Sequence, residues 1–235
     1  MLVRSLLIAV FLISSSLAQS ALAELPQFIP VDVPNHVYDG GWEHFVGGGV
    51  AVFDCNGDSK PDLVAAGGTN LPILLRNTSR VAGEVSFVAA TPKNLDLKGT
   101  TGVYPIDANN DGLLDLMVLR VGSDILLHGA GDCTFSPAPL EIGDHWSTAF
   151  SATWEANQIK PTFAFGHYVD QANAEGPFEA CDTNIIMRPT ASGYSLIKLN
   201  PGYCALSMLF TDWARKGSAD LRISNDRHYY VHKGE

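Results

Sequence analysis

The stretch Phe53-Asp54-Cys55-Asn56-Gly57-Asp58-Ser59-Lys60-Pro61-Asp62-Leu63-Val64 returns as Ile106-Asp107-Ala108-Asn109-Asn110-Asp111-Gly112-Leu113-Leu114-Asp115-Leu116-Met117. An internal repeat settles architecture before any single element is read, because each copy is one structural unit that must bury its apolar face on the next. A worn copy runs from Phe210 to Leu221, shifted by one residue before its first Asp. A fourth, Trp154 to Phe163, is recognisable mainly because Lys160-Pro161 stands where Lys60-Pro61 does. The loops start at 54, 107, 154 and 212, spacings of 53, 47 and 58 residues.

The segments after the loops repeat as well. An apolar run comes first: Leu63-Val64-Ala65-Ala66, Leu116-Met117-Val118-Leu119, Phe163-Ala164-Phe165 and Leu221-Arg222-Ile223. A second run then ends in a basic residue or His, at Arg76, His128, Arg188 and His232. It begins 11, 10, 23 and 9 residues after the loops, so the third repeat carries an insertion, Tyr168 to Ala180, expected as a surface loop. Short apolar runs bounded by Gly, Pro, Asn and Asp read as strands buried on both faces. Helical spacing over ten or more positions is not found. Several strands every fifty residues therefore predict an all-β chain, a β-propeller whose blades are small antiparallel sheets packed on their neighbours.

The loops themselves predict chemistry. Positions 1, 3, 5 and 9 are Asp54, Asn56, Asp58 and Asp62 in the first, and Asp107, Asn109, Asp111 and Asp115 in the second. A tightly curled loop can aim those oxygens at one centre, with the backbone carbonyl of position 7, Lys60 or Leu113, completing an oxygen cage suited to calcium. One divalent ion would take each loop from about −3 to about −1 in formal charge. Oxygen donors without well-placed His or Cys argue against zinc and copper. An EF-hand is excluded because position 12 is Ala65 or Val118 rather than Glu, and the residues after position 9 are strand-like. The bland alternative is an Asx-rich turn. In the copy at 212, Asp212 and Asp220 keep the ends, but Ala214 and Lys216 replace the middle ligands; Lys216 either places its ammonium where the ion would sit or is merely exposed. The copy at 154 has no ligand set. Two structural calcium ions are expected.

The Asp-x-Asn-x-Asp-x-x-x-Asp-Leu loops followed by a strand resemble FG-GAP/VCBS repeats of integrin-α-like seven-bladed propellers. The wider pattern looks like the cartilage acidic protein-like group of secreted proteins. It comprises His36-x-Tyr38 and Gly41-Trp42 before the run Phe45 to Asp54, then Gly131-Asp132-Cys133-x-Phe135, and Asp212-Trp213 through Asp220-Leu221 to Ser224-Asn225-Asp226-Arg227. The resemblance implies an extracellular calcium-binding propeller used in adhesion or surface recognition, without a defined catalytic activity. Ser59, where Gly112 shows the usual glycine, and the two decayed loops depart from it. About four repeats are present, which predicts an incomplete part of a seven-bladed propeller.

Met1 to Ala23 reads as a cleaved secretory signal: Arg4, an apolar stretch from Leu6 to Ile13, and small residues at Ala21 and Ala23. Residues 24–235 then form the repeat domain, secreted or periplasmic, with no transmembrane segment expected. Losing Arg4 takes the net charge from −10 to −11, which disfavours nucleic acid as a partner. Export makes Cys55, Cys133, Cys181 and Cys204 disulfide candidates. Cys181 with Cys204 is favoured, since they flank an expected strand, turn and strand (Asn184 to Met187, Tyr194 to Leu199); all four as buried free thiols is the alternative.

No Gly-x-Ser-x-Gly elbow, His-Glu-x-x-His, P-loop or Gly-x-Gly-x-x-Gly occurs. Gly47-Gly48-Gly49 reads as close backbone packing rather than a phosphate cradle. His228 and His232 are expected on the surface, and the acidic pairs Glu84/Asp96 and Asp170/Glu179 as random surface acids. Three functions remain open. The leading one is a calcium-stabilised scaffold for an extracellular protein partner. The others are a lectin-like glycan binder using Trp42, Trp146 or Trp154, and a platform of a polysaccharide-degrading enzyme.

Overall fold

The computed structural model describes residues 25–138, 140–173 and 180–226. The signal segment, Glu179, His228 and His232 lie outside them. Two compact units are distinguished, Met1–Pro30 and Val31–Glu235; residues 25–30 of the first carry no regular element, and every strand belongs to the second.

The strands run as successive antiparallel meanders. The first is β1 (Val50–Phe53), β2 (Asp62–Ala65), β3 (Ile73–Asn77) and β4 (Phe87–Ala89), paired in that order. The second is β5 (Thr100–Ile106), β6 (Asp115–Ser123), β7 (Ile125–Gly129) and β8 (Phe135–Ala138). The third is β9 (Asp144–Thr153), β10 (Thr162–His167), β11 (Asn184–Thr190) and β12 (Gly193–Leu199). A hairpin of β13 (Ala205–Thr211) and β14 (Asp220–Asn225) comes last. Each repeated loop joins the first strand of its sheet to the second. The protein has a β-propeller-like fold.

Burial explains why the runs after each loop are continuously apolar. Leu116, Met117, Val118, Phe163, Ala164 and Phe165 are all buried, because β6 and β10 are covered on both faces, whereas β2 alternates buried with half-buried positions and β14 stays largely exposed, a departure from the expected burial of that run. Three clusters fill the spaces between sheets. Ala51, Phe53, Val64 and Leu74 meet Val103, Leu116, Val118 and Leu127 between the first and second. Ile106, Met117, Leu119 and Leu126 meet Phe150, Phe163, Phe165 and Ile185 between the second and third. Ala149 and Ala164 meet Ala205 and Met208 before the last hairpin, where small side chains let the sheets approach closely. The second and third sheets also share a hydrogen-bonded seam, Val121–Ser123 of β6 against Asp144–Trp146 of β9.

Both cysteine pairs form disulfides, Cys55–Cys133 and the favoured Cys181–Cys204. The first ties the first loop to the β7–β8 turn, alongside a bond from the Cys133 N–H to the Cys55 carbonyl at 3.0 Å. The expectation that Tyr168 to Ala180 is a surface loop needs correction at its ends. Tyr168, Val169 and Ala180 are buried with Trp146 and Cys204, because the insertion closes back on itself through Asp182 N–H to the Tyr168 carbonyl. Gly47 is a packing glycine: a Cβ there would lie 2.3 Å from the Tyr38 hydroxyl oxygen.

Candidate functional site

Four loops share one backbone signature. Position 4 is left-handed in all of them, Gly57, Asn110, Asn157 and Arg215, with φ between 53° and 73°. Position 6 is left-handed in three, Ser59, Gly112 and Gly217. Two such residues separated by one curl a chain tightly and turn successive N–H groups inward. The carboxylate at position 1 accepts them. Asp54 takes the N–H of Asp58 at 3.2 Å and of Ser59 at 2.7 Å. Asp107 takes those of Asp111 at 3.2 Å and Gly112 at 3.0 Å, and Asp212 those of Lys216 and Gly217, both at 2.7 Å.

Inside this curl the first two loops add matching contacts. Asn56 Oδ1 accepts the Asp58 N–H, and Asp58 Oδ1 accepts the Lys60 N–H; Asn109, Asp111 and Leu113 repeat both bonds. Asn56 Nδ2 donates to Asp58 Oδ2 at 3.3 Å, and Asn109 Nδ2 to Asp111 Oδ2 at 2.9 Å. The Lys60 ammonium stands 3.5 Å from Asp58 Oδ2. Slight desolvation pushes the Asp58 carboxyl up, but the bonds from Lys60 and Asn56 outweigh it and hold its pKa below the ordinary value. The Leu113 N–H, then Asn109, does the same for Asp111. Both carboxylates are thus kept charged and solvent-facing.

Position 9 is a different kind of group. Asp62 and Asp115 are fully buried. Asp62 Oδ2 accepts the Cys55 N–H at 3.0 Å and Oδ1 the Asn77 N–H at 2.8 Å. Asp115 repeats this with Ala108 at 3.0 Å and Gly129 at 2.9 Å. Each therefore ties its own loop to the end of the third strand.

The donor chemistry of the first two loops fits a hard cation: carboxylates at 1, 5 and 9, an amide oxygen at 3, and acceptor capacity left on each oxygen after its N–H bonds. Among the described residues, the three carboxylates of either loop do not close within 4.8 Å of one another, so an ion would draw them together. Asp54, Asn56, Asp58 and Lys60 of the first loop, and Asp107, Asn109, Asp111 and Leu113 of the second, are brought together through their mutual bonds, with Asp62 and Asp115 at the base.

The worn loops separate cleanly. Lys216 is exposed and makes no ion pair among the described residues, and Asp220 is exposed too. In the copy at 154, Thr162 stands at position 9 and donates to Glu155 Oε1 at 2.9 Å, while Arg188 Nε donates to the same oxygen at 2.8 Å. Of the basic residues ending the second runs, His232 lies outside the described residues. Arg76, His128 and Arg188 share one register beside the loop, and His128 Nδ1 lies 3.1 Å from Asp115 Oδ2.

A second cluster had no sequence signal, because its members lie on different strands and loops. His145, His167 and Asp182 bring donor atoms within 4.8 Å of one another. His145 lies 2.7 Å from Asp182 Oδ2 through Nδ1 and 2.8 Å from the Ile142 carbonyl through Nε2. Both partners accept, so the ring satisfies them only as imidazolium. Burial pulls its pKa down, yet Asp182, then Ile142 and Asp124, outweigh it and raise it. His167 stacks on it at 3.9 Å, tilted by only 3°. Burial, then the His145 charge, pushes His167 down to about 4. Asp124, buried and held by Ser147 and the Arg120 N–H, is raised to about 7 by desolvation. A metal bound in the plane of one stacked ring stands out of the plane of the other, so this geometry holds a proton rather than an ion. The three donors Cys55, Cys133 and Asp62 also cluster, but both sulfurs are spent in the disulfide.

Of the aromatics considered as sugar platforms, Trp146 is fully buried and edge-packed on Trp42 and Tyr168, which removes it. Trp42 is 46% and Trp154 50% exposed. Glu84, Asp96 and Asp170 are exposed acids. Among the described residues no helix is long and apolar enough to cross a membrane. No curated protein matches this chain. The FG-GAP-like repeat family matches residues 54–118, from the first Asp of the first loop into β6, and so takes in both complete loops and strands β2 to β5 between them.

Proposed function

We propose that the protein is an exported recognition scaffold whose first two sheets are pinned by calcium and which has no catalytic activity of its own. The observation that carries the reading is the identity of the two complete loops: the same curl, the same Asp-Asn-Asp bonds and the same buried Asp at the base, in successive sheets of an FG-GAP-like repeat. Calcium, when bound, supplies positive charge among carboxylates that otherwise repel. The chain's own residues do the rest: Asp54 and Asp107 hold the curl, Asn56 and Asn109 orient position 5, and Asp62 and Asp115 couple each loop to the third strand.

Export is supported by the signal-like Met1 to Ala23 and by two disulfides, which persist in oxidising compartments. The likeness to the cartilage acidic protein-like group, carried by the motifs from His36 to Arg227, extends the reading to surface recognition. Absence of catalysis is supported by the lack of a Gly-x-Ser-x-Gly elbow, His-Glu-x-x-His or P-loop in the sequence. Equilibrium dialysis with calcium tests the reading. Two ions per chain are expected, none after D58A with D111A; no bound calcium overturns it, and an N-terminus other than Glu24 on the exported product overturns the proposed cleavage.

A further inference from the structure

Position 2 of the repeated loop is filled differently along the chain. In the first it is Cys55, buried and bonded to Cys133; in the second it is Ala108, also buried. At 154 it is Glu155, whose carboxylate reaches Arg188 rather than the sheet interior. A cavity of about 290 Å³ opens there. Its walls are Trp154 and the Glu155–Arg188 pair on one side and Gly217 and Ser218 of the last loop on the other, with Phe210 also lining it. The two loops that lost their calcium ligands are thus the two that build this cavity.

Its lining is specific in kind. Trp154, half-exposed, offers an aromatic surface. Glu155 Oε1 is committed to Thr162 and Arg188 Nε, while Glu155 Oε2 and the two terminal nitrogens of Arg188 carry no hydrogen bond among the described residues. One acceptor and a fork of donors, held by their mutual bond beside an aromatic ring, suit a ligand with an apolar face and adjacent hydroxyls. A pyranose has that shape: its axial C–H face packs on the indole, and vicinal hydroxyls both donate to the carboxylate and accept from the guanidinium. The charges of the pair cancel locally, and the net charge of the chain, −10, disfavours acidic sugars.

We infer that the crevice between the loops at 154 and 212 is a binding site for a neutral pyranose unit of a glycan. This rests on the recognition reading above and names its ligand class. The test is isothermal titration calorimetry of the full chain with methyl β-glucoside, methyl α-mannoside and methyl β-galactoside, read as the heat of binding. At least one is expected to give a saturable change with millimolar affinity. Trp154→Ala abolishes it, Trp154→Phe restores part of it, Arg188→Gln weakens it at least tenfold, and Trp213→Ala, outside the cavity, leaves it intact. Melting curves identify any variant that has lost its fold, and Arg188→Gln then serves in place of Trp154→Ala. No saturable change with any of the three glycosides, or binding unaffected by both Trp154→Ala and Arg188→Gln, overturns the inference. Two bound calcium ions with no sugar binding overturn this site alone; sugar binding through Trp154 without bound calcium overturns the metal reading alone.

Discussion

The loop at 107 and the loop at 212 curl in the same way and differ in almost everything else. In both, an Asp at position 1 collects the N–H groups of positions 5 and 6, and a left-handed residue stands at positions 4 and 6. Yet the first has Asn109 and Asp111 inside the curl and a buried Asp115 beneath it, whereas the second has Ala214, an exposed Lys216 and an exposed Asp220. Backbone shape and ion capacity are therefore separable. Position 1 and two left-handed residues make the curl; positions 3 and 5 make it acceptable to a cation; position 9 ties it to the sheet.

The sharpest break in that comparison comes at position 9. Asp115→Ala leaves the N–H groups of Ala108 and Gly129 unpaired in a buried site and should cost about 3–5 kcal/mol by denaturant melts in chelator, and more in calcium because a proposed ligand is lost as well. Asp220→Ala should cost under about 0.5 kcal/mol, as exposed sites do. Equal losses at the two positions would remove the distinction between base and rim. Next in size is the bridge that ties the first loop to the β7–β8 turn. Replacing Cys55 and Cys133 together by Ser releases a cross-link over 78 residues and should cost about 4 kcal/mol, against about 3 kcal/mol for Cys181 with Cys204 over 23.

Calcium is the third test. At a hundredfold excess over its dissociation constant an ion adds about 2.7 kcal/mol per site. Asp58→Ala or Asp111→Ala should abolish one such increment and leave stability in chelator nearly unchanged. The reverse experiment is stronger: Ala214→Asn with Lys216→Asp should give the last loop a third ion, measured by dialysis, if curl and ligands are independent. The smallest effect concerns position 6. Ser59 adopts φ 63° where Gly112 and Gly217 stand in the other loops, so Ser59→Gly should raise stability by about 0.5–1 kcal/mol.

The buried His cluster gives a pH profile of its own. His145 has a raised pKa, so its contribution is complete below about 6.5 and is lost as pH rises through the folded value. Asp124, raised to about 7, likewise loses its contribution as pH climbs toward that point. His167, lowered to about 4, acts in the opposite sense: its contribution is present above about 6.5 and drains away as pH falls toward 4. Between about pH 4 and 6.5 the gain from His167 and the loss from Asp124 oppose one another, so stability should be nearly level there and fall above it as His145 loses its proton; His145→Gln should make that alkaline fall shallower. A profile unchanged by that substitution would show that the stacked pair is not titrating.

Much of this molecule was readable from residue order because its repeat is local. Asp and Asn at fixed spacing, followed by Leu-Val-Ala or Leu-Met-Val, announce a turn and a strand buried on both faces. The register of Arg76, His128 and Arg188 was visible as a pattern, but its purpose was not: that a basic side chain stands over the loop depends on strand pairing. Asp62 and Asp115 look like the other loop acids in sequence, and only burial separates them as pins rather than rim ligands. Trp146 and Trp154 were equally plausible as exposed platforms. Packing against Trp42 and Tyr168 sealed one and left the other half-exposed beside Arg188.

Residue order alone determined the strand-rich architecture, the positions of the four loops and the ion-suited oxygens of two, because each depends on contacts within a dozen residues. Only tertiary structure decided which carboxylates are buried, that the loops at 154 and 212 line one cavity, and that His145 meets His167 and Asp182. Those outcomes join residues that strand pairing and sheet stacking bring together from well-separated parts of the chain, and no local pattern encodes such a meeting.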